Sequence, residues 1–250
     1  MQESLPPPAA DWALFLDFDG TLVELAEHPE RVAVPPEVPR LLERLGQAFG
    51  GAVAIVSGRS LEGLERLLDG APLAMAGVHG LERRDAHGRV HRPVDHTASF
   101  REARTAIADF VARHPGTHWE DKGNALTLHY RGAPTVAAEA ERFLTEQCRR
   151  LGDEFAIQHG KQVLELKPTS HHKGTVVETF LAEPPFAGRC PVFIGDDVTD
   201  EDAFRAVNAR NGHSIRVGPR PGSAARYQVD SVKEVLEWLN SLPARLGTTR

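Results

Sequence analysis

The chain has 250 residues, of which 41% are hydrophobic and 26% charged, and a formal charge of −6. That length buries a sizeable core in one or two domains of ordinary globular composition, and an acidic balance argues against a nucleic-acid partner, which wants a basic face. No apolar run approaches the roughly 20 residues that span a bilayer, so no membrane association is expected, and two cysteines, Cys148 and Cys190, provide neither a disulfide framework nor a CxxC metal site.

Met1 to Pro8 lack the basic start and apolar centre of a signal peptide and read as a flexible tail; a reducing cytoplasm is the expected compartment. Trp12 to Leu16 then form a continuous apolar run, the pattern of a strand buried on both faces of a parallel sheet. Asp17 and Asp19 follow at once, and Gly20 permits a sharp turn. In extended chain Asp17 and Asp19 face one space and Phe18 points away. They stand beyond the carboxyl end of a strand, where open parallel sheets bind ligands. Two carboxylates about 4 Å apart repel by roughly 1 kcal/mol in water and roughly 4 kcal/mol at an effective dielectric of 20. Such a pair is kept where a cation neutralises it or a reaction uses it. Carboxylate oxygens suit Mg²⁺, and a carboxylate can attack phosphorus to form an aspartyl-phosphate. A strand ending in a plain Asp-Gly turn is the alternative.

Val23 to Pro36 read as loop, punctuated by Pro29, Pro35 and Pro36. Val38, Leu41, Leu42 and Leu45 give a helix over 37–49, which Gly50-Gly51 stops. Ala52 to Val56 is a second buried strand with Ser57-Gly58-Arg59 at its exit; Ser60 caps a helix to about Leu68, and Leu73 to Val78 form a third strand. This alternation predicts a parallel sheet with right-handed crossovers. From about Leu81 the rhythm changes. Trp119 to Tyr130 and Phe155 to Leu166 are polar, alternating, strand-like segments, with helical stretches over 99–113 and 135–151. Alternation implies antiparallel sheet with one face toward water, read here as an α+β domain over 83–167 inserted into a discontinuous core of 1–82 and 168–250. The core pattern returns with a helix over 172–181, a strand at Pro191 to Ile194 ending in Gly195-Asp196-Asp197, a helix over 199–208, a strand at His213 to Val217 and a closing helix over 232–240.

Asp17-Phe18-Asp19-Gly20-Thr21-Leu22 resembles the first motif of the haloacid dehalogenase-like (HAD) phosphatases, and Val56-Ser57-Gly58-Arg59, Lys173-Gly174 and Gly195-Asp196-Asp197-Val198-Thr199-Asp200-Glu201 match the remaining motifs in order. The resemblance implies an α/β fold, a Rossmann-like parallel-sheet core with an inserted α+β cap, and a Mg²⁺-dependent phosphomonoesterase. It makes Asp17 the nucleophile and Asp19 the acid and base; spacing alone does not choose between them. Lys173 would bridge the nucleophile and the phosphate. Asp17, Asp19 through its backbone carbonyl, and Asp196 would ligate Mg²⁺, with Asp200 as a further metal-site candidate. Ser57, with the amides of its turn, suits phosphate oxygens, and Thr21 and Gly58 join it there. Arg59 suits either an anionic or hydroxylated substrate or a salt bridge. Glu201 and Asp202 read as helix chemistry, since acidic residues in a first turn are stabilising without any function.

Further stretches, Gly77-Val78-His79-Gly80-Leu81-Glu82, Glu120-Asp121-Lys122-Gly123, His129-Tyr130-Arg131 and Val163 to Pro168, are similar to those of the trehalose-6-phosphate phosphatases. That similarity makes the partner a small-molecule sugar phosphate and the reaction hydrolysis of trehalose 6-phosphate by a monomeric enzyme. Glu82, Glu120, Lys122, His129, Arg131 and Glu165 become the sugar-binding candidates, each of which reads equally as a solvated strand-face group. Another sugar phosphate, of the sucrose or mannosylglycerate type, and a non-catalytic sugar-phosphate-binding module remain the alternatives; the latter predicts a lost nucleophile or lysine, and Asp17, Asp19, Lys173 and Asp196 are all present.

Overall fold

The computed structural model describes residues 4–26, 32–91, 98–123, 125–169 and 171–246. In chain order the elements are β1 (Trp12–Leu16), α1 (Glu37–Ala48), β2 (Val53–Val56), α2 (Leu61–Leu67), β3 (Ala74–Gly77), β4 (Glu82–Arg84), β5 (Val90–His91), α3 (Ala98–Arg113), β6 (His118–Asp121), β7 (Leu126–His129), α4 (Ala137–Leu151), β8 (Phe155–Gly160), β9 (Val163–Pro168), α5 (Lys173–Leu181), β10 (Cys190–Gly195), α6 (Glu201–Ala209), β11 (His213–Val217), β12 (Tyr227–Val229) and α7 (Val232–Leu246). They form two compact units, Met1–His91 with His172–Arg250, and Arg92–His171.

The first unit is built on an eight-stranded sheet of order β12-β11-β10-β1-β2-β3-β4-β5. The strands from β12 to β3 are parallel, and β4 and β5 add antiparallel at one edge. Alternation along β1 divides the core. Leu14 and Leu16 pack on one face with Val38, Leu41 and Leu45 of α1 and Val235 and Leu239 of α7. Ala13 and Phe15 pack on the other with Phe180 of α5 and Phe204 of α6. Each such buried Val, Leu or Phe side chain stabilises the fold by roughly 1.5–3 kcal/mol. Both faces being covered is why the central strands read as unbroken apolar runs.

The second unit is a four-stranded antiparallel sheet of order β6-β7-β9-β8. Phe100, Ile107 and Phe110 of α3 and Leu144 of α4 pack against Leu126, Leu128, Leu164 and Leu166. The period of two then sends Thr127, His129 and Glu165 to the opposite face.

Several expectations are revised. The division expected between residues 82 and 83 falls inside the first sheet, because β4 pairs with β3 (Gly77↔Glu82) and β5 with β4. Arg84 fixes this edge by donating to the carbonyls of Leu73 and Ala71 at 3.1 and 2.7 Å. The segments over 119–130 and 155–166 are each two strands, β6 and β7 closed where the Lys122 amide donates to the Ala125 carbonyl at 2.9 Å, and β8 and β9 meeting at a turn at Gln162, whose φ is 61°. The described part of the N-terminal tail packs: Pro6 is buried and Leu5 lies against the core. The last helix runs past Asn240 to Leu246 despite Pro243, because Leu242 continues the buried stripe of Trp238 and Leu239.

Candidate active site

β1 and β10 run side by side, Leu16 opposite Ile194, so the residues after them leave the sheet together. Carboxylate oxygens of Asp17, Asp196 and Asp200 lie within 4.8 Å of one another. The Lys173 ammonium, at the first position of α5, is 2.6 Å from Asp17 Oδ1 and 2.6 Å from Asp200 Oδ1. Thr21 Oγ1 donates to Asp17 Oδ2 at 3.1 Å, and Asp200 Oδ2 accepts the Asp197 amide at 2.8 Å. Lys173 is 2% exposed and Asp200 0%. Gly20, at φ +80°, is required: a Cβ there would stand 2.2 Å from Asp196 Oδ2.

Burial pushes the Asp17 carboxyl well above its ordinary value, with Lys173 opposing and Asp200 and Asp196 adding to the rise. Asp196 is pushed up to about 6, first by burial and then by Asp200 and Asp197. Burial would lower the Lys173 ammonium, but Asp17 and Asp200 outweigh it and hold it above its ordinary value. Three ionised carboxylates against one ammonium leave an excess of two negative charges, the charge of one divalent cation. Asp196 Oδ1 is buried and has no hydrogen-bond partner among the described residues. A hard cation with oxygen ligands fits this donor set.

Asp19 stands apart from that cluster. Its carboxylate takes a two-point contact from Arg59, Nε to Oδ2 at 2.6 Å and Nη2 to Oδ1 at 2.7 Å, and the guanidinium lies 5.8 Å from the Phe18 ring centroid. Of the two readings open for Arg59, the structure shows the salt bridge. Ser57 is buried, and its Oγ accepts the Arg59 amide at 3.2 Å. A Cβ on Gly58 would meet the His79 ring at 2.9 Å. Val78 and His79 both adopt left-handed φ, 48° and 53°. Such strain costs of order 1–3 kcal/mol per residue and persists where neighbours enforce it. Here the Val78 and His79 amides donate to the carbonyls of Arg59 and Ser57 at 2.8 and 3.0 Å, so the strained corner and the Ser57-Gly58-Arg59 turn hold each other.

One Glu82 carboxylate oxygen accepts the Leu61 amide at 2.8 Å, at the N-terminus of α2, where free amides attract an anion. Glu201 is more than helix chemistry, being buried and accepting Ser223 Oγ at 2.7 Å and the Ala224 amide at 2.8 Å. Asp202 does remain on the helix surface, paired with Arg205 at 2.7 Å. Arg216, absent from the expected set, is buried and donates to the carbonyls of Asp196 and Asp197. Its only trace in the sequence is a cation within the apolar run Ile215 to Val217.

In the second unit the register aligns Glu120 with Thr127 and Thr127 with Glu165 on one face. Lys122 Nζ donates to Glu165 Oε1 at 3.0 Å, and Thr127 Oγ1 reaches the same oxygen at 3.3 Å. His129 approaches Glu120 at 3.9 Å and is the main cause holding the Glu120 carboxyl below its ordinary value. Arg131, on the turn after β7, is exposed.

The profile of the family described as trehalose-phosphatase matches residues 15–233 of the chain. This chain belongs to the trehalose-phosphatase family. A probable trehalose-phosphate phosphatase of Sinorhizobium fredii is 47% identical over 224 residues, 89% of this chain and 84% of that protein. The trehalose-6-phosphate phosphatase of Escherichia coli K12 is 38% identical over 245 residues, covering 98% and 91%. The solved C-terminal domain of Candida albicans trehalose-6-phosphate phosphatase superposes with a TM-score of 0.78 at 22% identity, over 94% of this chain and 92% of that one, and supports the fold. Family membership covers both units, since the matched span includes all of β6 to β9.

Proposed function

We propose that the chain hydrolyses trehalose 6-phosphate to trehalose and phosphate, a reaction of trehalose biosynthesis, as a Mg²⁺-dependent phosphomonoesterase acting through an aspartyl-phosphate. The observation that carries the chemistry is the buried Lys173 ammonium held 2.6 Å from both Asp17 and Asp200, beside an Asp196 carboxylate with an orphaned oxygen. Asp17, Asp196 and Asp200 would hold Mg²⁺, joined by the Asp19 backbone carbonyl. Bound there, the ion offsets the charge excess of the cluster and of a phosphate dianion.

Asp17 supplies the attacking oxygen. Its bond to phosphorus forms as the bond from phosphorus to the sugar oxygen breaks, and Asp19 gives that oxygen its proton. Asp19 then takes a proton from water, whose oxygen attacks phosphorus and releases phosphate from Asp17. Thr21 orients Asp17 through its hydroxyl. Lys173 stabilises charge developing on the transferred group. Ser57 and Gly58 present the turn suited to phosphate oxygens. For the sugar, the Lys122–Glu165 pair offers a donor and an acceptor whose partners are already ordered, with Glu120, His129 and Arg131 nearby in sequence or register. Glu82, one of whose carboxylate oxygens accepts the Leu61 amide, remains a candidate with them.

The test is phosphate release from a panel of sugar phosphates, with Mg²⁺ or with EDTA, for wild type and Asp17→Asn. Metal-dependent release from trehalose 6-phosphate alone, lost in Asp17→Asn, is the expected result. Release across the whole panel would keep the chemistry and overturn the substrate. No release from any ester would favour a binding module.

A further inference from the structure

We propose that Arg216, braced by Glu201, is a positioning residue that fixes the acidic loop after β10 and thereby sets the cation affinity of the site; this rests on reading Asp17, Asp196 and Asp200 as the cation-binding cluster. Arg216 lies in register with Gly195, the last residue of β10, on the neighbouring parallel strand. Ile215 and Val217 belong to one core face, so Arg216 and Ser214 project to the other. The side chain is 7% exposed. A buried guanidinium is costly to desolvate unless its donors are met. Here two of them are met by main chain, one Nη donating to the Asp196 carbonyl and the other to the Asp197 carbonyl at 3.4 Å, while Nε has no hydrogen-bond partner among the described residues.

Those two carbonyls lie past the end of β10, where no strand ladder fixes the peptide planes. Holding both of them fixes the backbone angles around Asp196 and Asp197. Those angles aim the Asp196 carboxylate at Asp17, and they place the Asp197 amide where Asp200 accepts it at 2.8 Å. The guanidinium is itself held from behind by Glu201, at 3.6 Å. Glu201 is 7% exposed and is anchored by Ser223 Oγ and the Ala224 amide at 2.7 and 2.8 Å, with Arg220 at 4.0 Å. An apolar residue would fill the same space without these contacts, as Ile215 and Val217 do on the other face. What Arg216 adds is a fixed orientation for the loop. Neither Arg216 nor Glu201 contacts substrate or cation in this scheme.

The experiment measures Mn²⁺ binding by calorimetry to the full-length protein, wild type, Arg216→Met, Arg216→Lys and Glu201→Gln. Phosphate release from trehalose 6-phosphate is measured in parallel against Mg²⁺ concentration. Groups that orient metal ligands typically contribute about 10–100-fold to affinity. Arg216→Met should therefore weaken Mn²⁺ by at least about tenfold and raise the Mg²⁺ needed for half-maximal release by a similar factor. KM for the sugar phosphate at saturating Mg²⁺ should stay within about twofold of wild type. Arg216→Lys should recover part of the loss, and Glu201→Gln should show a smaller loss of the same kind. Wild-type Mn²⁺ affinity in Arg216→Met, or equal losses in the Met and Lys variants, would overturn the proposal. Where circular dichroism shows Arg216→Met unfolded, Glu201→Gln decides: unchanged Mn²⁺ affinity overturns. Absence of Mn²⁺ binding by the wild type would instead overturn the cluster reading and this proposal with it.

Discussion

In the first unit Asp17 and Asp200 are almost wholly removed from solvent and are bridged by the equally buried Lys173, whereas in the second unit Glu120, His129 and Arg131 stay partly or fully exposed and the half-buried Lys122 pairs with the buried Glu165. The first arrangement arises beyond the ends of β1 and β10, where several strand ends and one helix start converge and each charge is held by more than one partner. The second arises on one face of an antiparallel sheet, where each strand contributes one side chain at a time. Charges locked together in low dielectric act as a unit, and losing one exposes the rest. Charges set out along a sheet face act in graded fashion. The difference separates groups suited to bond making from groups suited to recognition.

The largest expected effect is on the locked cluster. Lys173→Met should cut kcat by about 10²–10³-fold or more on sugar and aryl phosphates alike, since it removes the charge facing the reacting group. It should also lower stability, leaving Asp17 and Asp200 buried without their cation. A loss confined to sugar phosphates, in steady-state assays of both substrates, would break the comparison. Next, Lys122→Ala and Glu165→Ala should raise KM for trehalose 6-phosphate by about 10–100-fold, the equivalent of one or two lost charge-assisted hydrogen bonds. Turnover of a small aryl phosphate should change by no more than about twofold. Equal losses on both substrates would mean that the two regions do not divide chemistry from recognition.

Arg59 sharpens the boundary from within the first unit. It meets Asp19, the proposed acid, through both carboxylate oxygens. Arg59→Ala should lower kcat by about 10–100-fold on sugar phosphates, whose alkoxide must be protonated to leave, and by much less on an aryl phosphate with a good leaving group. Comparable losses on both esters would place Arg59 on the phosphate instead.

The smallest effect concerns a buried charge of the first unit that is not part of its carboxylate–lysine cluster. Burial alone would raise the Asp85 carboxyl, but hydrogen bonds from His91, the Arg89 and His87 amides and the Arg89 guanidinium outweigh it and hold the carboxyl well below its ordinary value. In the unfolded chain it returns to about 3.9. The ionised form therefore stabilises the fold above that unfolded value, and the contribution is lost as pH falls through the lower folded one. Asp85→Asn should lower Tm by a few degrees at pH 7 with phosphate release unchanged. Melting curves should show the gap from wild type closing below about pH 4. A gap constant across that range would mean that charge is not what Asp85 contributes.

What could be read from residues alone follows from how locally each feature is encoded. β1, β2 and β10 are continuous apolar runs because both faces of the sheet are covered, and such runs end where Asp17, Ser57 and Asp196 begin. Turn chemistry is equally local, as Gly20 shows, so the four motifs were legible from the sequence, and the trehalose-phosphatase family was legible from the further stretches at 77–82, 120–123, 129–131 and 163–168. β4 and β5, with three and two residues, are too short to carry a period, which is why the boundary between the units was misplaced. The end of α7 was misplaced because buried contacts of Leu242 override the helix-breaking tendency of Pro243.

The sequence by itself determined which carboxylates and which lysine end up at strand and helix termini. Only the tertiary structure decided what each of them touches. Lys173 reaches Asp200 across 27 residues and Asp17 across 156. Arg59 reaches Asp19 across 40, and Arg216 finds the Asp196 carbonyl across 20. Glu82 turns to the amide of Leu61. Spacing along a chain fixes the direction of a side chain on its own strand or helix, but a charge takes whichever partner packing brings within hydrogen-bond distance, and that partner comes from strands and helices far away in sequence.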